Sequence, residues 1–357
     1  MKRKIRNVVI YVATFVICCL GCVACLSGST SVFAETVAGA EIGYLNYSDG
    51  SHYEGDVVEG KIRNGTGSFT WSTGESYEGN WVNDVRSGTG EMSWPGLGVY
   101  KGEFQNGKRQ GHGVFTWVYE AEPAAGQPVS FDGEWNKDKI GSSGTMVFSK
   151  LGIYEGEFSN GVRSGVGKFT WENGDQYYGC WVKDQISGDG ILTLMDGTAF
   201  EGQFANNLLQ KGTVTYAVEG GIVVREVQNG KPQSGVTIIY DDGTKVAGSL
   251  KGSEFNGNVT ISYASGDTYV GTMSNGLKSG KGTYKWAGGA HYVGSWENDK
   301  MSGTGKYYYG KDESKNYLSG TFKDGVPSGN LIYMADNKLQ YNTVWQDGTC
   351  TSITYKK

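Results

Sequence analysis

Hydrophobic and polar positions alternate along two short runs between Tyr154 and Trp171, and a tight-turn signal separates the runs. Counted from Tyr154, aromatic residues and glycines occupy offsets 0, +2, +4, +11, +13, +15 and +17. The pair Asn160-Gly161 lies between the two runs, and such pairs favour tight hairpin turns. Because successive side chains of a strand point to opposite faces, this stretch predicts a β-hairpin. One face of the hairpin carries aromatic rings and glycines, and the other face is mostly polar.

The same arrangement recurs along most of the chain, with most steps 23 residues long. Units start at Tyr53, Tyr77, Tyr100, Phe131, Tyr154, Tyr177, Phe200, Val223, Val246, Tyr269, Tyr292 and Leu318, and a partial unit starts at Tyr341. A fixed period is typical of a repeat array, and short turns favour antiparallel pairing of consecutive strands. We therefore predict an all-β fold, an elongated antiparallel meander or solenoid of β-hairpins. Residues 44–357 form about 12 units and a terminal cap, after a linker at 35–43.

Tryptophan occupies only two positions of the unit, offsets +4 and +17, once the extra residue in the unit at Tyr53 is counted. Such regular placement predicts ladders of core rings. The glycines at +2 and +13 lie on the aromatic face, where a missing side chain leaves room for a ring to lie against backbone. The units at Phe200, Val223 and Val246 replace most rings by aliphatic residues, which predicts an interrupted ladder and a softer segment.

The first 34 residues differ from the array. Four basic residues within the first six precede an apolar run from Val8 to about Leu26, an order typical of a secretory signal, and we expect a leader helix that is cleaved after Ala34. The run is also long enough to span a membrane once, so an uncleaved anchor is an alternative. A third alternative is lipid modification at Cys22 or Cys25. Each alternative predicts a protein that is secreted, at the cell surface or membrane-associated, and therefore extracytoplasmic.

Composition and charge narrow the classes of partner. Glycine accounts for 58 residues and proline for only 5, which fits many short strands and tight turns. After residue 34 the chain carries 28 Lys and Arg against 37 Asp and Glu, a net charge of −9. This balance argues against a nucleic-acid partner and against adhesion to anionic lipid by bulk charge.

The sequence contains no cluster of residues that predicts catalysis or metal binding. Outside the leader only Cys180 and Cys350 remain, and they lie about seven units apart, too far to form a disulfide bond within one molecule. His52 and His291 share offset −1 and His112 occupies +12, all on the polar side of the repeat. The Gly-x-Gly pairs lie inside strands instead of between a strand and a helix. We therefore expect no catalytic residues, no cofactor and no metal site.

The pattern Tyr-x-Gly-x-Phe/Trp-x-x-Gly/Asp, followed by Gly-x-Gly and two further apolar positions, resembles the MORN (membrane occupation and recognition nexus) repeat. The clearest copies are Tyr77–Trp94, Tyr100–Trp117, Tyr154–Trp171, Tyr269–Trp286 and Tyr292–Tyr309. The resemblance implies an elongated hairpin solenoid and a role as a scaffold or adaptor, in some members with membrane or phospholipid association.

The leading functional prediction is a non-enzymatic interaction scaffold, exported from the cytoplasm, that binds a protein or a membrane or envelope surface. A cell-wall or glycan-binding module is the alternative, since aromatic hairpin repeats also occur in glucan-binding proteins, and a hydrolase with a site in the groove is a third reading. The candidate surface combines the aromatic groove with the insertion from Tyr119 to Ser130. Its residues are Tyr154, Phe158, Trp171, Trp181, Trp286, Trp296, Glu120 and Glu122. The sequence does not predict the oligomeric state.

Overall fold

A computed structural model describes residues 41–311, 315–336 and 338–356 of the chain. The leader at 1–34 lies outside the described residues, and so do its three alternatives of cleavage, anchoring and lipidation at Cys22 or Cys25. In the described part of the chain every regular element is a β-strand, and a helix that could span a bilayer is not found there.

The first half of the array contains strands β1 to β14. They are β1 (Glu41–Asn46), β2 (His52–Val58), β3 (Ile62–Thr70), β4 (Ser76–Val82), β5 (Val85–Trp94), β6 (Gly98–Gln105), β7 (Lys108–Trp117), β8 (Pro128–Asn136), β9 (Lys139–Phe148), β10 (Gly152–Ser159), β11 (Val162–Trp171), β12 (Gln176–Val182), β13 (Gln185–Thr193) and β14 (Ala199–Ala205).

The second half contains strands β15 to β28. They are β15 (Leu208–Val218), β16 (Gly221–Gln228), β17 (Lys231–Tyr240), β18 (Lys245–Lys251), β19 (Glu254–Ser262), β20 (Thr268–Ser274), β21 (Leu277–Lys285), β22 (His291–Glu297), β23 (Lys300–Tyr308), β24 (Tyr317–Lys323), β25 (Val326–Pro327), β26 (Gly329–Ala335), β27 (Leu339–Gln346) and β28 (Thr349–Lys356).

The described strands form one sheet in which each strand from β1 to β24 pairs antiparallel with the next, so the chain is a meander. Each unit supplies one hairpin; the unit at Tyr154 supplies β10 and β11, joined at Asn160-Gly161. Near the end of the array β24 pairs with both β25 and β26, which Ser328 separates. The predicted all-β hairpin-repeat fold is confirmed for the described residues.

A tyrosine ring lying against backbone glycine is the recurring core contact. The Tyr154 side chain is fully buried, and its hydroxyl donates a 2.8 Å hydrogen bond to the Glu157 carbonyl oxygen. The ring runs over Gly156 and Gly167, which are paired across the hairpin. A Cβ added to Gly167 would lie 2.5 Å from Tyr154 Cε2 and Cζ. The expectation that these glycines make room for a ring is therefore confirmed.

The glycine at +11 is required for a different reason, a β-bulge in the hairpin. Between the pairs Gly156–Gly167 and Phe158–Arg163 the second strand has more residues than the first, so a β-bulge forms. Gly165 lies in that bulge with φ of +70°, a left-handed conformation that a Cβ disfavours. The bulge is stabilised by the Glu157 carboxylate, which accepts a hydrogen bond of 3.1 Å from the Val166 amide.

The hydrophobic core divides into two clusters in the middle of the array. The first cluster extends from Tyr53 to Phe204, and the second from Val223 to Leu331. In the unit at Val223 the tyrosine is replaced by valine, and its two glycine positions hold Arg225 and Val236, which face each other across the hairpin. This division lies in the units where the sequence predicts an interrupted aromatic ladder.

Replacement of Gly167 by alanine is expected to destabilise the array by about 1–3 kcal/mol, because the new methyl group would overlap the Tyr154 ring and force it out of place. The denaturation midpoint in urea measures the effect. Gly288→Ala is the matched control, because no atom lies within 4 Å of a Cβ built at that turn glycine. Equal midpoints for the two variants would contradict the packing role of the ring.

Candidate binding surface

Arginine, tryptophan and aspartate side chains form a clamp between neighbouring units on the aromatic face. The Arg163 guanidinium carbon lies 4.5 Å from the centre of the Trp181 ring, within the range of a cation–π interaction. Arg163 Nε donates to Asp184 Oδ1 over 3.0 Å, and the Arg163 amide donates to the same oxygen over 2.9 Å. Because Arg163 lies on β11 while Trp181 and Asp184 belong to the next unit, the clamp fixes the two units to each other.

The clamp recurs at intervals of two units through the first half of the array. Equivalent groups are Arg63, Trp81 and Asp84, then Arg109, Trp135 and Asp138, and in the second half Lys278, Trp296 and Asp299. The intervening units have phenylalanine or another apolar residue at +4, such as Phe104 and Phe158. The structural period is therefore a pair of units.

The charges of the clamp are partly desolvated. Burial lowers the pKa of the Arg109 guanidinium, although Asp138 partly offsets that effect. Burial also tends to raise the pKa of the Asp84 carboxyl, but hydrogen bonds from the Arg63 side chain and backbone outweigh it and hold the pKa below its ordinary value. In each clamp the guanidinium and the carboxylate lie within ion-pair distance, 2.9 Å for Arg63 and Asp84 and 3.4 Å for Arg109 and Asp138.

Four of the tryptophans at +4 also link their unit to the preceding one, namely Trp81, Trp135, Trp181 and Trp296. Trp181 Nε1 donates a 3.2 Å hydrogen bond to the Gly167 carbonyl oxygen, and Trp135 Nε1 donates one of 2.9 Å to Gly113. Since these rings are nearly inaccessible, they form the floor of the aromatic face.

Two equivalent clefts open above that floor, and the tryptophans at +17 form their walls. Cleft A is lined by Arg86, Trp94, Leu97, Arg109, Phe115, Trp117, Trp135, Asp138 and Ile140. Cleft B is lined by Lys150, Leu151, Arg163, Phe169, Trp171, Glu172, Asn173, Asp175, Trp181, Asp184, Ile186, Leu192, Leu194 and Asn207. The residues of the two clefts that occupy the same repeat positions lie two units apart. Trp117 in cleft A and Trp171 in cleft B are only half-buried.

The sequence-predicted surface residues fall into three groups in the structure. Four of them are buried rings below the surface, namely Tyr154, Phe158, Trp181 and Trp296. Trp171 and Trp286 are half-buried and remain accessible. Glu120 and Glu122 are exposed in the loop between β7 and β8, where Glu122 forms an ion pair of 2.9 Å with Lys150. The groove and the insertion therefore provide accessible groups, while the buried rings support the groove from below.

Sequence reasoning missed the arginine and aspartate of the clamp. A signal was present, because each tryptophan at +4 except Trp345 is followed three residues later by aspartate, whereas Phe104 and Phe158 are followed by glycine. The correlation between ring size and turn residue predicts that the aspartate has a partner in the neighbouring unit.

The buried first-position tyrosines of the aromatic face are poor acids at neutral pH. Burial raises the pKa to about 12 for the first-position tyrosines Tyr53, Tyr77, Tyr100, Tyr154, Tyr269 and Tyr292. These phenols stay protonated and donate to backbone carbonyl oxygens. In the described part of the chain, no group of three or more His, Cys, Asp or Glu residues is placed to hold a metal ion.

Comparison with known proteins identifies the repeat. The family model for the MORN repeat matches residues 53–76, 77–98, 100–118, 131–151, 154–176, 177–199, 269–291 and 292–312, just under half of the chain. The unmatched units in the middle are those in which aliphatic residues replace the rings. A search of curated protein sequences found no match.

Two solved structures show a distant similarity. The TCP10 domain of Danio rerio CPAP, solved in complex with a peptide of Danio rerio STIL, has 10% identity and a TM-score of 0.24, covering 70% of this chain and 91% of that chain. A catalytically inactive virginiamycin B lyase from Staphylococcus aureus has 10% identity and a TM-score of 0.11, covering 86% of this chain and 96% of that chain.

The buried phenols predict a specific loss of stability in alkali. An unfolded tyrosine loses its proton near pH 10, whereas the folded Tyr154 keeps it up to about pH 12. The contribution of the neutral phenol to folding stability is fully present below pH 10 and is lost as the pH rises towards 12. The unfolding free energy of the wild type should therefore fall as the pH rises through this window. In Tyr154→Phe that fall should be smaller, by up to about 1.4 kcal/mol per pH unit.

Denaturant titrations at several alkaline pH values measure that slope. Tyr178→Phe is the matched control, because Tyr178 lies on the polar face with 61% of its surface exposed, and its slope should equal that of the wild type. An unchanged slope in Tyr154→Phe would show that burial of the phenol does not govern its ionisation.

Proposed function

Because the chain contains eight MORN repeats, we propose that the protein is a non-enzymatic scaffold whose aromatic face binds a partner protein at clefts A and B. The observation that supports this proposal is the pair of equivalent clefts, each with a half-buried tryptophan as its wall and the buried tryptophan of a clamp as its floor. An accessible tryptophan in a pre-formed cleft is among the residue types that contribute most to protein interfaces.

The side chains that form the cleft walls are held in place by their neighbours, which favours a binding role for the clefts. Trp171 contacts Phe169 with ring centres 4.8 Å apart, and Phe169 itself is buried against Trp181. Arg163 and Asp184 hold the next unit in place through their hydrogen bonds. A partner that enters such a cleft loses little free energy to ordering of the protein, since the walls are already fixed.

The spacing of the clefts suggests how one partner could use both. Two units correspond to four strands, or about 19 Å at the usual separation of paired strands. An extended peptide covers this distance with about six residues. A single partner segment with two apolar anchors at that separation would gain affinity from the second contact, because it becomes intramolecular.

Mutation of the cleft tryptophans tests the proposal. In the full-length protein, Trp117→Ala and Trp171→Ala should each weaken capture of a partner from envelope fractions of the source organism by about 30-fold, as expected for a central interface tryptophan. Tyr178→Ala, a change of similar size on the opposite face, should leave capture unchanged. Fractions treated with protease, extracted for lipid, or reduced to glycan strands identify the class of partner.

The outcomes of that experiment separate the candidates. Loss of capture after protease treatment, together with loss in the tryptophan variants, supports a protein partner. Retention on protein-free glycan strands would favour the cell-wall or glycan-binding alternative, and retention on extracted lipid would favour a membrane surface. Capture that is equal in Trp171→Ala and Tyr178→Ala would exclude the aromatic face as the binding site.

We also propose that the protein is exported and acts outside the cytoplasm, at the cell surface or after secretion. The proposal is supported by the basic residues at the start of the chain and the apolar run from Val8 to about Leu26. The mass of the N-terminal peptide from the native source tests it. A start at Glu35 means release, a lipidated Cys22 or Cys25 means tethering, and an intact leader on a protein that external protease cannot reach would contradict export.

A further inference from the structure

The polar face of the sheet, which is the face opposite the tyrosine rings, has charges of opposite sign in its two halves. Its first five units carry the acidic residues Glu54, Asp56, Glu78, Glu91, Glu103, Asp132, Glu134, Glu155 and Glu157, with Lys101, His112 and Lys168 among them. The units from Tyr269 to Leu318 carry Lys281, Lys285, Lys306 and Lys323, with Glu297 among them. The net charge of the whole chain does not reveal this separation of acidic and basic residues.

The polar face has two troughs, and in each of them side chains of mostly one charge sign lie close together. The acidic trough is lined by Glu54, Thr66, Gly67, Ser68, Glu78, Gly79, Asn80, Thr89, Gly90, Glu91, Lys101 and Gly102. The basic trough is lined by Val270, Lys281, Gly282, Thr283, Val293, Gly294, Thr304, Gly305, Lys306 and Ser319. Both troughs run over glycines that pair across successive strands, so they have the same backbone floor and opposite charge.

The charges of the basic trough have no acidic partner in the described residues. Lys281 Nζ lies 2.9 Å from the Ser295 hydroxyl oxygen, and Lys306 Nζ lies 4.8 Å from the centre of the Tyr317 ring. Both partners are neutral, so no carboxylate of the described residues is paired with either lysine, and both lysines are exposed. Two valines of the same trough, Val270 and Val293, are 55% and 41% exposed and could be covered by an opposing surface.

The acidic trough is also incompletely neutralised. Glu54, Glu78 and Glu91 are exposed, and Glu78 and Glu91 are directly opposite each other on β4 and β5, a like-charge pair that is unfavourable without a cation. Lys101 Nζ lies 3.9 Å from Glu91 Oε2, a long distance for an ion pair. An excess of negative charge therefore remains, and it matches the excess of positive charge in the basic trough.

We propose that a second copy of this chain docks on the polar face in antiparallel orientation, with its basic trough on the acidic trough of the first copy. A surface that contains both a patch and its complement satisfies two-fold symmetry, because the same contact then forms twice in one pair. The two contacts form together, so each raises the effective concentration of the other. The pair leaves clefts A and B on the opposite faces open, and this inference is independent of the proposed partner binding.

Ionic strength provides the first test, with sedimentation equilibrium of the full-length protein as the measurement. A pair held by exposed charges should form at low salt, where the screening length is about 30 Å at ~0.01 M, and dissociate where it is about 3 Å at ~1 M. A protein that is monomeric at low salt would overturn the proposal. Association that persists or strengthens at high salt would also overturn it, since apolar contacts behave in that way.

Charge reversal provides the second test. The double variant Lys281→Glu with Lys306→Glu, and the double variant Glu78→Lys with Glu91→Lys, should each raise the dissociation constant of the pair by about tenfold or more. The variant with all four changes restores opposite charges in the two troughs and should regain association. Failure of that variant to associate, although it folds, would overturn the proposal.

Two controls keep this comparison interpretable. Lys108→Glu with Lys139→Glu makes the same change in net charge at exposed lysines beside hairpin turns, and association should be unchanged. Lys281→Gln with Lys306→Gln removes charge without adding repulsion and should weaken association less than the reversal does. Far-ultraviolet circular dichroism confirms folding of every variant, and Trp171→Ala should associate like the wild type.

Discussion

Contact between a tyrosine ring and the backbone of two paired glycines is the interaction on which the array depends. The described strands form one sheet, so no second layer covers the rings, and each ring is buried by its own hairpin and its neighbours. Phe131 occupies the same position without a hydroxyl group and is equally buried. Burial of the ring is therefore the general requirement, and the hydrogen bond of the hydroxyl to the carbonyl three residues later is an addition. Where Val223 replaces the ring, both glycines are lost with it, as expected if the glycines serve the ring.

The fold was predictable because each repeat unit is a hairpin whose two strands are adjacent in sequence. Alternation within Tyr154–Trp171 and the pair Asn160-Gly161 define a hairpin over fewer than 20 residues, and the period then fixes the order of the strands. The bulge at Gly165 was not predictable in the same way, because it depends on the two strands having unequal lengths between paired positions. Its glycine could be recognised in the sequence, but the left-handed conformation that requires it could not.

The binding surface was predictable only in part, and the reason is that burial depends on neighbouring units. Trp171 and Trp181 are the same residue type in the same face of the sheet, yet one is a half-exposed wall and the other is a buried floor. Trp181 is covered by the Arg163 guanidinium, which Asp184 of the next unit holds in place, and by the rings of neighbouring units. A sequence pattern counted within one unit identifies the rings but not the side chains that cover them.

The alternation of tryptophan and phenylalanine at +4 constrains how such an array can change in length. Removal of a single unit would place Arg109 beside a unit that has Phe158 and Gly161, so the guanidinium would lose both its indole ring and its carboxylate. Removal of two consecutive units would place the arginine beside Trp181 and Asp184, with the contact intact. Growth or loss of the molecule by pairs therefore preserves the clamps, whereas loss of one unit would leave the arginine in the surroundings of Arg86, which lies over Phe104 and donates to the Gly107 carbonyl oxygen.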